Sequence, residues 1–246
     1  MPPKSDPFTN SVWLRPPRTR GEQPSLSREQ IVRAAIELLD AEGLAGLSMR
    51  RLGTRLGSGT TSVYWYVTNK DELLELAVDE VMGEVYVPEV GDTSWRIGAS
   101  VLTAGTREML LRHPWVIGML GVRPNYGPNA MRIGDRTVAL LSAAGFSGLE
   151  LSHASALLTS YAIGSATTIS AMVTSMRQSG MSMTEIAAKL EPQLGRIASE
   201  HPHYDRWRQE VGGAAYVPER IWDESFTFGL DRLLDGLEMW LDRPDR

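Results

Sequence analysis

No cysteine occurs among the 246 residues. The chain therefore forms no disulfide, no thiolate zinc site and no cysteine nucleophile, and its composition suits a reducing compartment. Histidine is scarce, with four in all. His201 and His203 flank Pro202, but no carboxylate or cysteine cluster completes a metal site there, so the pair reads as a surface turn. No metal and no cofactor is expected. No alternating apolar and polar run is long enough for a strand, so no glycine-rich phosphate loop follows one. Neither G-x-S-x-G nor H-E-x-x-H occurs. An N-terminal apolar leader and a run of eighteen apolar residues are also missing. By these signs the chain is expected in the cytoplasm, without a membrane partner. Net basic charge is lacking too: 25 Lys and Arg stand against 30 Asp and Glu, a formal charge of -5.

Apolar content of 42% is enough for a real core, and the length fits one small and one larger helical domain. Residues 1–25 are proline-rich and read as a flexible arm. Ser27 and Gln30 form a capping box, and Ile31, Ala34, Ala35, Leu38 and Leu39 share the face of the helix that follows, which ends at Gly43. A helix opening at Asn69 and Glu72 carries Leu73, Leu74, Ala77, Val78 and Val81 on its apolar side. Residues 88–93 form the boundary between domains placed at 26–87 and 93–246. Further helices are expected at about 95–112, after Pro114, at 129–144, 149–176, from Ser182, and at 218–241. The predicted fold class is all-α.

Residues 48–70 hold Arg50, Arg51, Arg55 and Lys70 and no acid. Leu52 and Leu56 share one helix face; Val63 and Val67 share another. Gly57 permits the positive φ that ends the first short helix. Two helices joined by such a turn, with cations and hydroxyls outward, form a helix-turn-helix. Its second helix lies in the major groove with N-terminal residues on the base edges. Thr60, Thr61 and Ser62 are short enough for close approach, and Arg50 is long enough for a bidentate guanine contact. Tyr64 and Tyr66 are placed outward as well, and Ser48 completes the DNA-contacting set. The overall acidity does not contradict this. Residues 1–72 carry ten Lys and Arg against eight Asp and Glu, whereas the remainder carries fifteen against twenty-two. Phosphates respond to local charge, because screening acts over about 8 Å.

Residues 27–85 resemble the DNA-binding domain of the TetR family of bacterial transcriptional repressors. The most diagnostic string is Val63-Tyr64-Trp65-Tyr66-Val67-Thr68-Asn69-Lys70 followed by Leu73-Leu74. Gly43, Leu47, Leu52, Leu56 and Gly57 also fall at family positions. Leu120-Gly121-Val122-Arg123-Pro124 and Gly145-Phe146-Ser147 extend the likeness into a tetracycline-repressor-like C-terminal part. The resemblance implies an N-terminal three-helix helix-turn-helix domain and a larger C-terminal helical domain for effector binding and dimerisation. It implies that Arg50, Thr60 and Thr61 read bases, and that Ser62, Tyr64 and Lys70 hold phosphates.

Positions that serve magnesium–tetracycline in that subgroup fall at Met119, Ser160 and Thr168. These are not hard-cation ligands, so another, largely apolar effector is expected. The candidate lining is Met109, Trp115, Met119, Met131, Tyr161 and Met172, with His113, Arg123 and Asn125 as polar contacts. Arg15, Arg18 and Arg20 precede the first helix. They reach into a minor groove or add only nonspecific affinity, while Trp13 and Leu14 offer a way to tack the arm to the body. Phe226, Leu230, Leu233, Leu237 and Leu241, with Gly229 and Gly236, are assigned to a homodimer seam, joined by Ala154, Ala162, Ser165 and Ile169. The expected function is a ligand-released repressor that binds a palindromic DNA operator and controls an exporter or antibiotic-related gene. The alternative is a helical small-molecule-binding protein, or an enzyme, without sequence-specific DNA binding.

Overall fold

The computed structural model describes residues 11–15, 26–122, 125–211 and 218–243, with the side chains of 218–220 excepted. Ten α-helices occur among them, and no strand. A 3₁₀ turn at Val12–Leu14 precedes α1 (Arg28–Gly46), α2 (Met49–Arg55), α3 (Thr60–Tyr66) and α4 (Lys70–Met82). Next come α5 (Trp95–Arg112), a 3₁₀ segment (Pro114–Met119), α6 (Pro128–Ala144) and α7 (Gly148–Ser179). α8 (Met183–Ala198), α9 (Pro202–Val211) and α10 (Pro218–Leu241) complete the chain. The all-α expectation stands.

Local chemistry explains the boundaries. Ser27 and Gln30 make the reciprocal capping box at α1. Ser48 caps α2 by accepting from the Arg51 N–H, and Asn69 caps α4 by accepting from the Glu72 N–H. Gly57 takes φ 62° and turns the chain between α2 and α3, a conformation cheap only for glycine. Gly43 also has a positive φ, yet it kinks α1 rather than ending it. Gly53 is a second glycine on which the α2–α3 unit depends. A side chain there would meet the Ser58 carbonyl at 3.1 Å, so its absence lets α2 and the turn close together.

One apolar core runs through both parts of the chain. Leu38, Leu39, Leu52, Val63, Val67, Leu73 and Val81 of the first four helices are continuous with Val85, Leu110, Trp115 and Val116. A second core joins Leu140, Leu141, Phe146, Leu158, Phe226, Leu230 and Leu234. α4 leads directly from the first three helices into the larger helical body, packing on α1 and α6.

Three expectations change. His201-Pro202-His203 is no isolated turn, because Pro202 opens α9, where its missing N–H costs nothing. The arm is not uniformly free of the body, since residues 11–15 dock on it. The dimer stripe also points elsewhere than expected: Phe226, Leu230 and Leu237, with Ala154, Ala162 and Ile169 of α7, are buried inside the protomer. Gly229 is small because the Tyr161 ring lies against it, not because a second subunit must approach.

Candidate nucleic-acid interface and effector cavity

The α2–α3 unit is held from beneath by apolar packing. Val63 and Val67 are fully buried, as is Leu52. Anchoring these faces turns Thr61 and Tyr64 into solvent, with Thr60 and Ser62 half-exposed beside them. Arg50 is exposed and has no ion pair among the described residues. The other two arginines are committed: Arg51 is bonded to Glu42 of α1, and Arg55 to Glu37 at 2.5 Å. The hydrogen bonds to Arg51 hold the Glu42 carboxyl below its ordinary range and raise the guanidinium. The unpaired positive charge of this face is thus concentrated at Arg50, beside the hydroxyl-rich start of α3.

The structure brings together Arg50, Thr60, Thr61, Ser62 and Tyr64, but places four other expected contacts differently. The Tyr66 hydroxyl donates to the Leu26 carbonyl at 2.6 Å and fastens the entry to α1. Tyr66 is half-buried and not part of the outward face. Lys70 donates to the carbonyls of Leu44 and Leu47 at 2.9 and 2.8 Å. Its ammonium has three donors, so two serve the α1–α2 junction before any phosphate does. Ser48 spends its hydroxyl oxygen on the α2 cap. Arg15 pairs with Glu72 at 3.4 Å rather than standing free for a groove. Arg18 and Arg20 lie outside the described residues.

α4 carries a feature that its apolar periodicity conceals. Glu72, Glu75 and Asp79 lie at i, i+3 and i+7, one helix face, and all three are buried. Each holds a different part of the chain. Glu72 takes Arg15 and the Thr68 N–H. Glu75 accepts from the Ser11 hydroxyl at 2.7 Å and the Val12 N–H at 2.9 Å. Asp79 accepts from the backbone N–H groups of Asn129 and Ala130 and from the Asn129 side chain. It thereby serves the N-terminus of α6, where negative charge is favoured. A side chain at Gly127 would strike the Asp79 carboxylate. Acids at helical spacing ordinarily mark a solvated face, so only their tertiary partners reveal this row.

A second polar knot joins α1 to the body. Asp40 receives His113 Nδ1 at 2.7 Å and the Trp115 indole N–H at 2.8 Å. His113 Nε2 faces Glu84 at 3.2 Å. His113 and Trp115 are 4% and 5% exposed, so these expected ligand contacts are internal ties between the two parts of the molecule.

A largely apolar cavity of about 240 Å³ lies between α4 and the loop after the 3₁₀ segment. Glu75, Val78, Met82, Met119, Leu120 and Asn125 line it. It gathers two of the expected ligand residues, Met119 and Asn125. Asn125 donates to the Met82 sulfur and accepts from the Gly127 N–H. The others are elsewhere. Met131 is 56% exposed on α6, and Met172 is half-buried on α7. Tyr161 stacks on Phe226 and donates to the carbonyls of Ser225 and Phe226; burial raises its hydroxyl pKa above the ordinary value, opposed by nearby Arg107. Arg123 lies outside the described residues.

A compact helix-turn-helix head, joined by one helix to an apolar helical body with a cavity at the joint, defines a DNA-binding transcriptional regulator rather than an enzyme. Residues 31–77 match the family of bacterial regulatory proteins of the tetR type, and residues 87–241 match the tetracyclin repressor-like C-terminal domain. The chain belongs to the TetR family. It is 33% identical to the transcriptional repressor DrrR1 of Streptomyces coeruleorubidus, across 90% of this chain and 80% of that protein. It is 42% identical to an HTH-type transcriptional regulator of Saccharopolyspora erythraea, across 65% and 68%. The structure of Streptomyces coelicolor ActR in complex with actinorhodin superposes with a TM-score of 0.70 at 30% identity, across 89% of this chain and 99% of ActR.

Proposed function

We propose that this regulator binds a palindromic operator as a homodimer, represses the adjoining gene, and is released by a small, largely apolar effector. It would do so in the cytoplasm, where its DNA is. The observation that carries the DNA reading is the uncommitted tip: Arg50, Thr60, Thr61, Ser62 and Tyr64 project from the α2–α3 unit, whose other two arginines are paired with acids of α1. A single helix of this kind reads few base pairs, so two heads related by a two-fold axis suit two half-sites one DNA turn apart.

The dimer reading moves to outward residues of the same two helices. Leu149 and Leu157 of α7 and Phe228 and Met239 of α10 are exposed. Gly164 and Gly236 have open space where a side chain would stand. α7 is long and apolar enough to cross a membrane by composition, yet its most apolar window is only 28% buried in the protomer. It packs on α5, α6 and α10 with one face, and a partner's copy is the natural cover for the other. The α8–α9 pair adds exposed Leu190, Leu194, Ile197, Tyr204 and Trp207.

The effector reading rests on the joint. A cavity of about 240 Å³ is below the roughly 300–1,000 Å³ of sites that enclose drug-sized ligands. An effector of that size must push α4 and the 3₁₀ segment apart. α4 carries the head, so the displacement changes the spacing of the two reading helices. A ligand that prefers the displaced form shifts the population away from the DNA-binding form. ActR, solved in complex with actinorhodin, supports an organic small-molecule effector for this chain as well; control of an exporter or antibiotic-related gene is carried from the sequence resemblance alone. The test is fluorescence anisotropy of the chain's own upstream DNA. Protein should give a sequence-specific signal that salt weakens steeply, and actinorhodin or a related aromatic should reverse it. No specific complex in any salt would refute the DNA reading; a complex that no member of an apolar natural-product library releases would refute the effector reading.

A further inference from the structure

Arg107 of α5 is a buried cation whose counter-ion stands in water. Its side chain is 8% exposed, whereas that of Asp223, which accepts from Nη2 at 2.8 Å, is 73% exposed. Nε donates to the Ser165 hydroxyl of α7 at 3.1 Å. The guanidinium lies over the Phe226 ring, 4.6 Å from its centroid, and that ring stacks in turn on Tyr161. A guanidinium has five N–H donors, and among the described residues these two oxygens are its only acceptors. A charge taken out of water is costly unless it is paired and fully hydrogen-bonded. Arg107 therefore holds unused donors where a further acceptor gains most.

Arg107 lines a cavity of about 430 Å³ between α5 and α10, within the roughly 300–1,000 Å³ of small-molecule sites. Ala104, Leu111, Phe226 and Leu230 give it an apolar wall, and it shares no described lining residue with the α4 cavity. Phe228 and Met239, offered above to a partner subunit, lie on the opposite side of α10 from Asp223 and Phe226. Three acids also border it. Glu108 and Asp223 are exposed to solvent, and Asp231 adjoins Arg96, so the poorly compensated charge of the cavity is the cation. A carboxylate matches the guanidinium fork with two parallel bonds, where Asp223 supplies one. We propose that this cavity binds an organic acid with an apolar body and one carboxylate, which replaces Asp223 as the counter-ion of Arg107. Asp223 then turns into solvent, at little cost for a side chain already mostly exposed. The bordering acids penalise a second negative charge on the ligand. The site is independent of the effector reading of the α4 cavity, and either can fail alone.

The test is calorimetry on the full-length protein at neutral pH. The probes are 4-phenylbutanoate, its primary amide as the neutral match, and phenylsuccinate as a dianion. The acid should bind about tenfold more tightly than the amide, the scale of one hydrogen bond to a charged group, and more tightly than phenylsuccinate. Arg107→Gln should abolish the preference for the acid. Should Arg107→Gln fail to fold, Asp223→Asn supplies the second arm. It removes the competing carboxylate at an exposed position and should tighten binding of the acid relative to the amide. Equal affinities for acid and amide, tighter binding of phenylsuccinate, or an Asp223→Asn protein that binds the acid no better than the parent would each overturn the proposal. These readings need no DNA, so they stand whether or not an operator is found.

Discussion

The tip of α3 and the acidic row of α4 lie on neighbouring helices and follow opposite rules. At the tip, Thr61, Tyr64 and Arg50 are exposed and keep their polar groups available for a partner outside the chain. On α4, Glu72, Glu75 and Asp79 are buried and spend their oxygens on residues 11–15, the Thr68 N–H and α6. The tip's polar groups are thus left without internal partners, as the proposed reading role requires, whereas those of the row are saturated by the elements they connect. Substitutions should divide accordingly: tip variants lose DNA affinity and keep stability, and row variants lose stability or coupling.

The largest expected effect is at Asp79. Asp79→Ala leaves two backbone N–H groups and the Asn129 amide without an acceptor, a loss of about 3 kcal/mol. Thermal unfolding should fall by roughly 6–12 °C for a chain of this size. A shift within 1 °C would erase the distinction. Arg50→Ala is the counterpart. It should leave the melting temperature unchanged while costing ~1–3 kcal/mol of discrimination at one operator base pair, measured by competition between operator variants. A uniform loss over all sequences would make Arg50 a phosphate contact instead.

Asp40→Ala comes next. It removes the shared acceptor of His113 and Trp115, about 1–3 kcal/mol of stability by chemical denaturation. It should also weaken the effector's influence on DNA affinity, because α1 loses its tie to the body. Lys70→Ala sharpens the boundary between the two classes. Its ammonium serves two carbonyls, so the variant should lose about 1 kcal/mol of stability and bind every operator variant more weakly by the same factor. Binding loss with no stability loss would return Lys70 to the tip class.

The smallest effect is in the pH profile. Bonds from Arg51 lower the Glu42 pKa, and those from Arg232 and Arg96 lower the Asp235 pKa. A lowered folded-state pKa gives stability that is present above the ordinary carboxylate range, near pH 4, and lost as pH falls below it. Both groups are exposed, so a shallow decline confined to that acid window is expected, and Glu42→Gln should flatten it slightly.

Much of the head was legible in the sequence because local chemistry determines it. Ser27 and Gln30, Asn69 and Gly57 act within three or four residues of themselves, and Val63 and Val67 show their spacing directly. Helices at 95–112 and 218–241 were visible from periodicity. What stayed hidden depends on distant partners. Tyr66 reads as an outward aromatic until Leu26 is placed beside it. Phe226, Leu230 and Leu237 make a seam-like stripe, but periodicity cannot say whether the seam faces the same subunit or another. His113 and Trp115 look like pocket residues until Asp40 of α1 arrives between them. The acids of α4 look like a wetted face because their partners are distant in the chain: residues 11–15 for Glu72 and Glu75, and the start of α6 for Asp79.

The most direct test of the central claim is a gel shift of the chain's own upstream DNA with parent protein, Thr61→Ala/Tyr64→Ala and Asp79→Asn. The account predicts a sequence-specific, salt-sensitive band for the parent. The tip variant should lose that band with its melting temperature intact. The α4 variant, at a temperature where it is folded, should keep it. A tip variant that binds the same DNA as tightly as the parent would contradict the assignment of α3 as the reading helix.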